Sequence, residues 1–326
     1  MFKSYKTYAA LTAILLLALF TTFQEDHKKN SLPLIAIANY GPHSSLQETI
    51  DGMKAELTKL GYIENTNIRY EIADVNFETS LIIQMLNKLK SSKPDILVTL
   101  STPIAQSAKN MIKDIPVIFT DVTDPDEAGL VSNNPNSNIT GASDKQDLVP
   151  MLKFAKQLLP KAETIGVLYS TGEANDISMV SMLNKSAASL GIEVVAIPIE
   201  HTRDVVTRMK LFKGKVDFIY TGSSGAIQAS LPAIVSIAES MKLPLFNFNS
   251  EEVIEHNALA SFGVSHKQVG ANAARIIHRI LQGEKPSNIA IIHPSITDHA
   301  GFISKKRAER IGIDIPKGLA GITIID

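Results

Sequence analysis

The chain has 326 residues, a net charge of −1 at neutral pH, 44% hydrophobic residues, and neither cysteine nor tryptophan. That length and apolar content fill two domains of ordinary size, and the near-zero charge excludes an electrostatic nucleic-acid binder. The lack of cysteine excludes disulfides, thiolate metal sites, cysteine nucleophiles and a lipid-modified amino-terminal cysteine.

Residues 1–23 read as a targeting segment. Lys3 and Lys6 precede an uncharged run from Tyr8 to Phe23, and the polar stretch from Gln24 to Asn30 follows. The run is short for a membrane span of about 20 residues, which fits a secretory signal. Thr21, Thr22 and Phe23 make a poor cleavage site, so an uncleaved amino-terminal anchor is the alternative. Both readings place the working part outside the cytoplasmic membrane, in the periplasm.

From residue 33 onward short β-branched runs alternate with helical periods. Leu34–Ala38 is followed by a polar loop from Asn39 to Ser45 and a helix carrying Leu46, Ile50, Met53 and Leu57. Further strand-like runs are Ile68–Ile72, Ile96–Leu100 and Val117–Thr120. Pro125–Asp144, rich in Asp, Asn, Gly, Ser and Pro, reads as loop and as the first crossing between two halves. The opening unit then recurs: Thr164–Tyr169, a loop from Ser170 to Asn175, and a helix with Ile177, Val180, Leu183 and Ala187. Glu193–Ile199, Phe218–Thr221, Leu245–Phe248 and Ala258–Val264 complete the strands. Gly61, Gly191 and Gly283 fit helix C-caps. This alternation predicts an α/β fold with parallel sheets built from βαβ units. The two recurring polar loops lie at the carboxyl ends of their strands, where open α/β sheets hold ligands, and suggest two lobes facing across a cleft.

The residues offer binding groups and no reaction centre. His256, His266 and His278 lack metal-ligand spacing, and neither G-x-S-x-G nor a Walker sequence occurs. Gly222-Ser223-Ser224-Gly225 follows a strand and opens a helix, so its N–H groups can meet an anion or form a plain turn. Asp121 and Asp124 follow an apolar strand and can line the cleft, or Asp124 can hold the turn at Pro125. Glu173 can cap a helix or touch a ligand. No acid–base pair or nucleophile emerges, so the expectation is a binding protein without enzymatic activity, metal or cofactor.

Val122-Thr123-Asp124-Pro125, Ala128-Gly129-Leu130-Val131 and Asn138-Ile139-Thr140-Gly141 together resemble the TDP…AGLV…NITG core of a family of ABC-transporter substrate-binding proteins. These are of the tryptophan or aromatic amino-acid type, with the type I periplasmic-binding-protein fold. Ile165–Tyr169 with Gly172–Asn175 matches the family's IGVLYNPGEANS, and Pro244-Leu245-Phe246 extends the likeness, which covers about residues 33–315. The resemblance implies two Rossmann-like lobes joined by three crossovers: 33–141 plus 264–286, and 142–263 plus 287–326. It places Asn39, His43, Ser101, Thr102, Thr123 and Asp124 in the cleft from the first lobe, and Ser170, Glu173, Asn175, Ser224 and Asn249 from the second. N–H groups at Thr102 and at the start of the Asn175 helix suit a ligand carboxylate.

Two positions depart from the family. Ser224-Gly225 stands where many members have Asp-Asn, and Ser265-His266 where they have an Asp-Tyr pair. The departure at Ser224 removes a natural ammonium partner and leaves Asp124 or Glu173 to replace it. The implied protein is a monomer that captures an amino acid or similar polar molecule and delivers it to an ABC permease and its ATPase. A ligand-sensing receptor of the same fold, without transport, is the alternative.

Overall fold

The computed structural model describes residues 32–326, so the targeting segment expected at 1–23 lies outside the described residues. The first sheet contains β1 (Leu34–Asn39), β2 (Arg69–Asp74), β3 (Ile96–Leu100), β4 (Val117–Thr120) and β5 (Ile139–Ala142). Its order is β2-β1-β3-β4-β5 and every pairing is parallel. Helices α1 (Ser44–Lys59), α2 (Ile82–Ser91) and α3 (Thr102–Met111) connect these strands. With helices on both faces, the central strands are buried throughout and read as continuous apolar runs.

The second sheet has the order β12-β11-β10-β9-β8-β6-β7. It contains β6 (Thr164–Ser170), β7 (Glu193–Ile199), β8 (Phe218–Thr221), β9 (Leu245–Asn247), β10 (Ala260–Val264), β11 (His299–Ser304) and β12 (Ile322–Ile325). All its pairs are parallel except β10 with β11. Helices α4 (Leu148–Leu158), α5 (Ala174–Ala188), α6 (Val205–Met209), α7 (Gly225–Ala229), α8 (Leu231–Ser240) and α9 (Glu251–Ile254) accompany it. One face is packed by Phe154, Phe218 and Phe246, the other by Phe212, Ile219 and Ile234.

Helix α10 (His266–Leu281) follows β10 but packs on the first lobe, where Val269, Ala273 and Ile276 join its core. The close of the chain is α11 (Lys305–Ile311) and β12 beside β11.

The chain therefore crosses between sheets after β5, between β10 and α10, and before β11. Three details differ from expectation, the first being β11 and β12, which are absent from the expected strands, with β11 running antiparallel to β10. Residues 139–142, read as loop, form β5: Gly141 and the polar neighbours hide a strand that is buried because β4 covers one edge and Ile292 bridges the other. Residues 289–292, expected with the second lobe, stay on the first; Thr140 Oγ1 donates to the Ile289 carbonyl at 2.8 Å and Ile289 packs in that core.

In both sheets the first strand sits between the second and third of its unit, so β1/β3 and β6/β8 are topological switch points. Crevices at the carboxyl ends of such strands are where α/β sheets take ligands. Here the two crevices face one another.

Candidate functional site

At the β1 end, Asn39 is buried, its Nδ2 donating to the Gly41 carbonyl at 2.9 Å. His43 caps α1: Ser45 N–H donates to His43 Nδ1 at 3.2 Å. That bond occupies the Nδ1 lone pair, so the ring proton sits on Nε2. Burial, and then the neighbouring His266 charge, push the His43 pKa down to about 4, so the ring is neutral.

At the ends of β3 and β4, Ser101 and Asp121 adopt positive φ, 80° and 53°. Non-glycine residues held there store strain of about 1–3 kcal/mol each, which persists where the surroundings over-determine them. Ser101 makes no side-chain cap bond to α3, so the first N–H groups of this ten-residue helix are not consumed by their own cap. Asp121 Oδ1 accepts from Thr49 Oγ1 at 2.9 Å and faces His266 Nδ1 at 2.9 Å. Burial opposes charge on His266, but the bond to Asp121 and the charges of Asp121, Asp144 and Glu48 outweigh it and raise its pKa.

Asp144 lies in the first crossover, His266 at the second. Asp144 is buried and its Oδ1 has no partner; burial and then the Asp121 charge lift its pKa to about 7. These three residues bring one ligand atom each within 4.8 Å of one another.

From the second lobe, Asp176 Oδ2 accepts from Ser170 N–H at 2.6 Å, and burial raises the Asp176 pKa to about 6. Glu173 accepts from the N–H groups of Gly225 and Ala226 at 3.2 and 3.4 Å, and the Tyr40 hydroxyl lies beside it across the cleft. Its pKa is raised to about 7, chiefly by burial and then by Asp176. Asn175 reaches Ser223 at 3.5 Å, Ser224 is buried with an unpartnered hydroxyl, and Asn249 Nδ2 donates to Ser44 Oγ in the opposite lobe at 2.8 Å. Phe248 stacks on His43, ring centroids 5.9 Å apart, and meets His266 edge-on.

Two small cavities of about 20 Å³ each lie between the lobes. Tyr40, His43, Ser101, Asp121, Gln228 and His266 line the first; Thr123, Gln146, Leu148, Met179, Met182 and Tyr220 line the second; Asp144, Ser223 and Phe248 line both. Around the first cavity four buried side-chain atoms lack partners among the described residues: His43 Nε2, Asp144 Oδ1, Gln228 Oε1 and His266 Nε2, with the His43 ring beside the Gln228 amide. Buried polar groups are nearly always bonded. Donors and acceptors left over around one cavity describe the complement of a ligand bearing both.

The two carboxylates expected to replace the family's aspartate are otherwise engaged. Asp124 Oδ1 accepts from the N–H groups of Asp126 and Glu127, and Oδ2 pairs with Lys145 at 2.6 Å, so it holds its turn and lines neither cavity. Glu173 holds the start of α7. Asp144, unmarked in the sequence reading, faces both cavities instead. Its signal was the short strand β5: Asp144 lies two residues past the end of β5, as Asp121 lies one past the end of β4.

The sequence profile of the family described as ABC transporter substrate binding protein matches residues 34–321. A tyrosine-binding protein of Clostridioides difficile is 32% identical over 259 residues, covering 79% of this chain and 75% of the relative. Among solved structures, a conserved domain protein of Vibrio cholerae superposes with TM-score 0.85 at 29% identity, over 91% of this chain and all of that one. A Streptococcus pneumoniae domain in complex with L-Trp gives 0.84 at 28% identity, over 90% of this chain and all of that one. The ligand-free, open structure of a Clostridium difficile substrate-binding protein gives 0.68 at 29%, over 90% of this chain and 99% of that one. The chain belongs to the family of ABC transporter substrate-binding proteins.

Proposed function

We propose that this protein captures an aromatic L-amino acid in the interlobe cleft and delivers it, outside the cytoplasmic membrane, to an ABC permease and its ATPase. The observation that carries the reading is the set of unpartnered atoms around the first cavity. Asp144 Oδ1 and Gln228 Oε1 are acceptors for an ammonium. His43 Nε2–H, His266 Nε2–H when that ring carries its second proton, and the Thr102 N–H at the start of α3 are donors for a carboxylate. A zwitterion satisfies both sets at once. Asn39, Ser170, Asn175, Ser224 and Asn249 line neither cavity, and Thr123 belongs to the side-chain compartment.

An aromatic side chain is supported by Met179, Met182, Leu148, Tyr220 and Phe248 around the second cavity, and by the tyrosine and tryptophan named for the relatives. In the arrangement described, both cavities are far smaller than the several hundred Å³ of a small-molecule site. Entry therefore requires the lobes to part and reclose, with residues 33–142 and 266–292 moving as one lobe and most of the remainder as the other.

Calorimetric titration tests the reading. L-tyrosine and L-tryptophan should bind, whereas tyramine, lacking the carboxylate, and 3-(4-hydroxyphenyl)propionate, lacking the ammonium, should each bind at least 100-fold more weakly. Absence of binding by every amino acid to a folded protein, or tight binding of both truncated analogues, would sink it.

A further inference from the structure

We propose that Gln146 reads the far end of the ligand's side chain, accepting a hydrogen bond from a ring O–H or N–H and so selecting tyrosine and tryptophan over phenylalanine. This rests on the amino-acid reading above and assigns a residue that the sequence did not single out. Asp144, Ser223 and Phe248 line both cavities. A ligand whose ammonium meets Asp144 at that shared boundary sends its side chain past Phe248 into the second compartment. There the walls are thioether and aromatic: Met179, Met182, Tyr220 and Phe248. Methionines adapt to rings of different shape, so the walls accept phenol and indole alike and cannot by themselves reject a bare phenyl.

Gln146 supplies what the walls lack. Its Oε1 is buried and has no donor. Its amide lies against the backbone of β10 at Gly263, where an added Cβ would come 2.8 Å from Nε2 and 3.1 Å from Oε1. The absence of a side chain at Gly263 makes room for the amide in that place. A buried acceptor without a partner is costly, and the cost is relieved by a ligand that donates to it. Phenylalanine fills the same apolar space and leaves Oε1 unpaired, and a site built around a hydrogen bond rejects the analogue that lacks the donor.

The test compares L-tyrosine, L-tryptophan, L-phenylalanine and 4-fluoro-L-phenylalanine by calorimetry on the wild type and on Gln146→Met, which keeps length and removes the acceptor. On the wild type, tyrosine and tryptophan should bind roughly 10- to 100-fold more tightly than the two ligands without a donor. On Gln146→Met that preference should shrink to within about threefold, through weaker binding of tyrosine and tryptophan and unchanged binding of phenylalanine. Equal weakening of all four ligands would overturn the assignment, because Gln146 would then serve the crossover and not the ligand. So would equal wild-type affinities for tyrosine and 4-fluoro-L-phenylalanine, a comparison that needs no variant to fold. If the wild type binds none of the four, the amino-acid reading itself fails; if it binds them without preference, that reading survives and only the role of Gln146 falls.

Discussion

Asp144 is held in a place that suits a bound ammonium and is unfavourable for the empty protein. Its Oδ1 has no partner, and burial with Asp121 alongside lifts its pKa from 3.8 to about 7. Glu173 is raised to about 7 and Asp176 to about 6. A carboxyl whose folded pKa exceeds its unfolded one favours folding while protonated. Its contribution is full below about 4 and is lost as pH rises through the folded value. His266, also raised, acts in the same direction, whereas His43, lowered to about 4, destabilises the fold once pH falls below about 6.5. Above that point only the stabilising groups respond, so the ligand-free protein should melt at a higher temperature at pH 6.5 than at pH 8. Ligand affinity should run the other way, because an ammonium needs Asp144 ionised: between pH 8 and pH 6 it should fall about tenfold. Asp144→Asn should weaken tyrosine binding roughly 10- to 100-fold, flatten that affinity profile and leave the protein folded. Calorimetry at three pH values reads both effects, and an unchanged profile in Asp144→Asn would remove this residue from the ammonium site.

The two helices of the first lobe that reach the site, α1 and α10, cross where glycine faces backbone. An added Cβ at Gly270 would lie 2.0 Å from the Thr49 carbonyl oxygen, and one at Gly52 would lie 2.2 Å from that of Lys267. Neither contact is a side-chain tip that can swing away, so Gly270→Ala must push the helices apart. Overpacking of this kind costs about 3 kcal/mol. Because α10 begins at His266 and α1 carries Thr49, both bound to Asp121, the same change should weaken ligand binding. Urea denaturation and calorimetry on Gly270→Ala should show both losses, and a lost stability with intact affinity would separate the helix crossing from the site.

This crossing also marks where sequence reading stops. The strands buried on both faces were legible as apolar runs, and so were the polar loops after β1 and β6, because each signal is local. Short β5 was not, since Gly141 and polar residues replaced an apolar run, and Asp144 was lost with it. The exposed-looking polarity of residues 125–144 concealed an edge covered by residues 150 positions away in the chain. For Asp124 and Glu173 the sequence left turn or cap and ligand contact both open, and only the folded turns show Asp124 Oδ1 and both Glu173 oxygens taken by backbone N–H groups.

Contacts across the cleft tie these local arrangements into one motion. Tyr40 faces Glu173, Asn249 donates to Ser44, and His43 stacks on Phe248, each pairing one lobe with the other. Each contact exists only when the lobes are together, so each biases the equilibrium between open and closed forms by its own free energy. With the ligand placed as proposed, its binding adds the larger bias, since Asp144 and His266 sit in the crossovers and face residues of both lobes. Tyr40→Phe removes one closing polar contact with Glu173 while keeping the ring against Gly225, where a Cβ would come within 2.6 Å of it. The variant should therefore favour the open form and bind tyrosine about tenfold more weakly, with thermal stability of the separate lobes little changed. Because the chain has no cysteine, one introduced on each lobe permits a labelled distance measurement. Tyrosine should shorten that distance in both proteins, but the ligand-free variant should sit further open than the ligand-free wild type. If both ligand-free distances coincide and neither responds to tyrosine, the two lobes form a rigid pair, and capture by closure is not how this protein works.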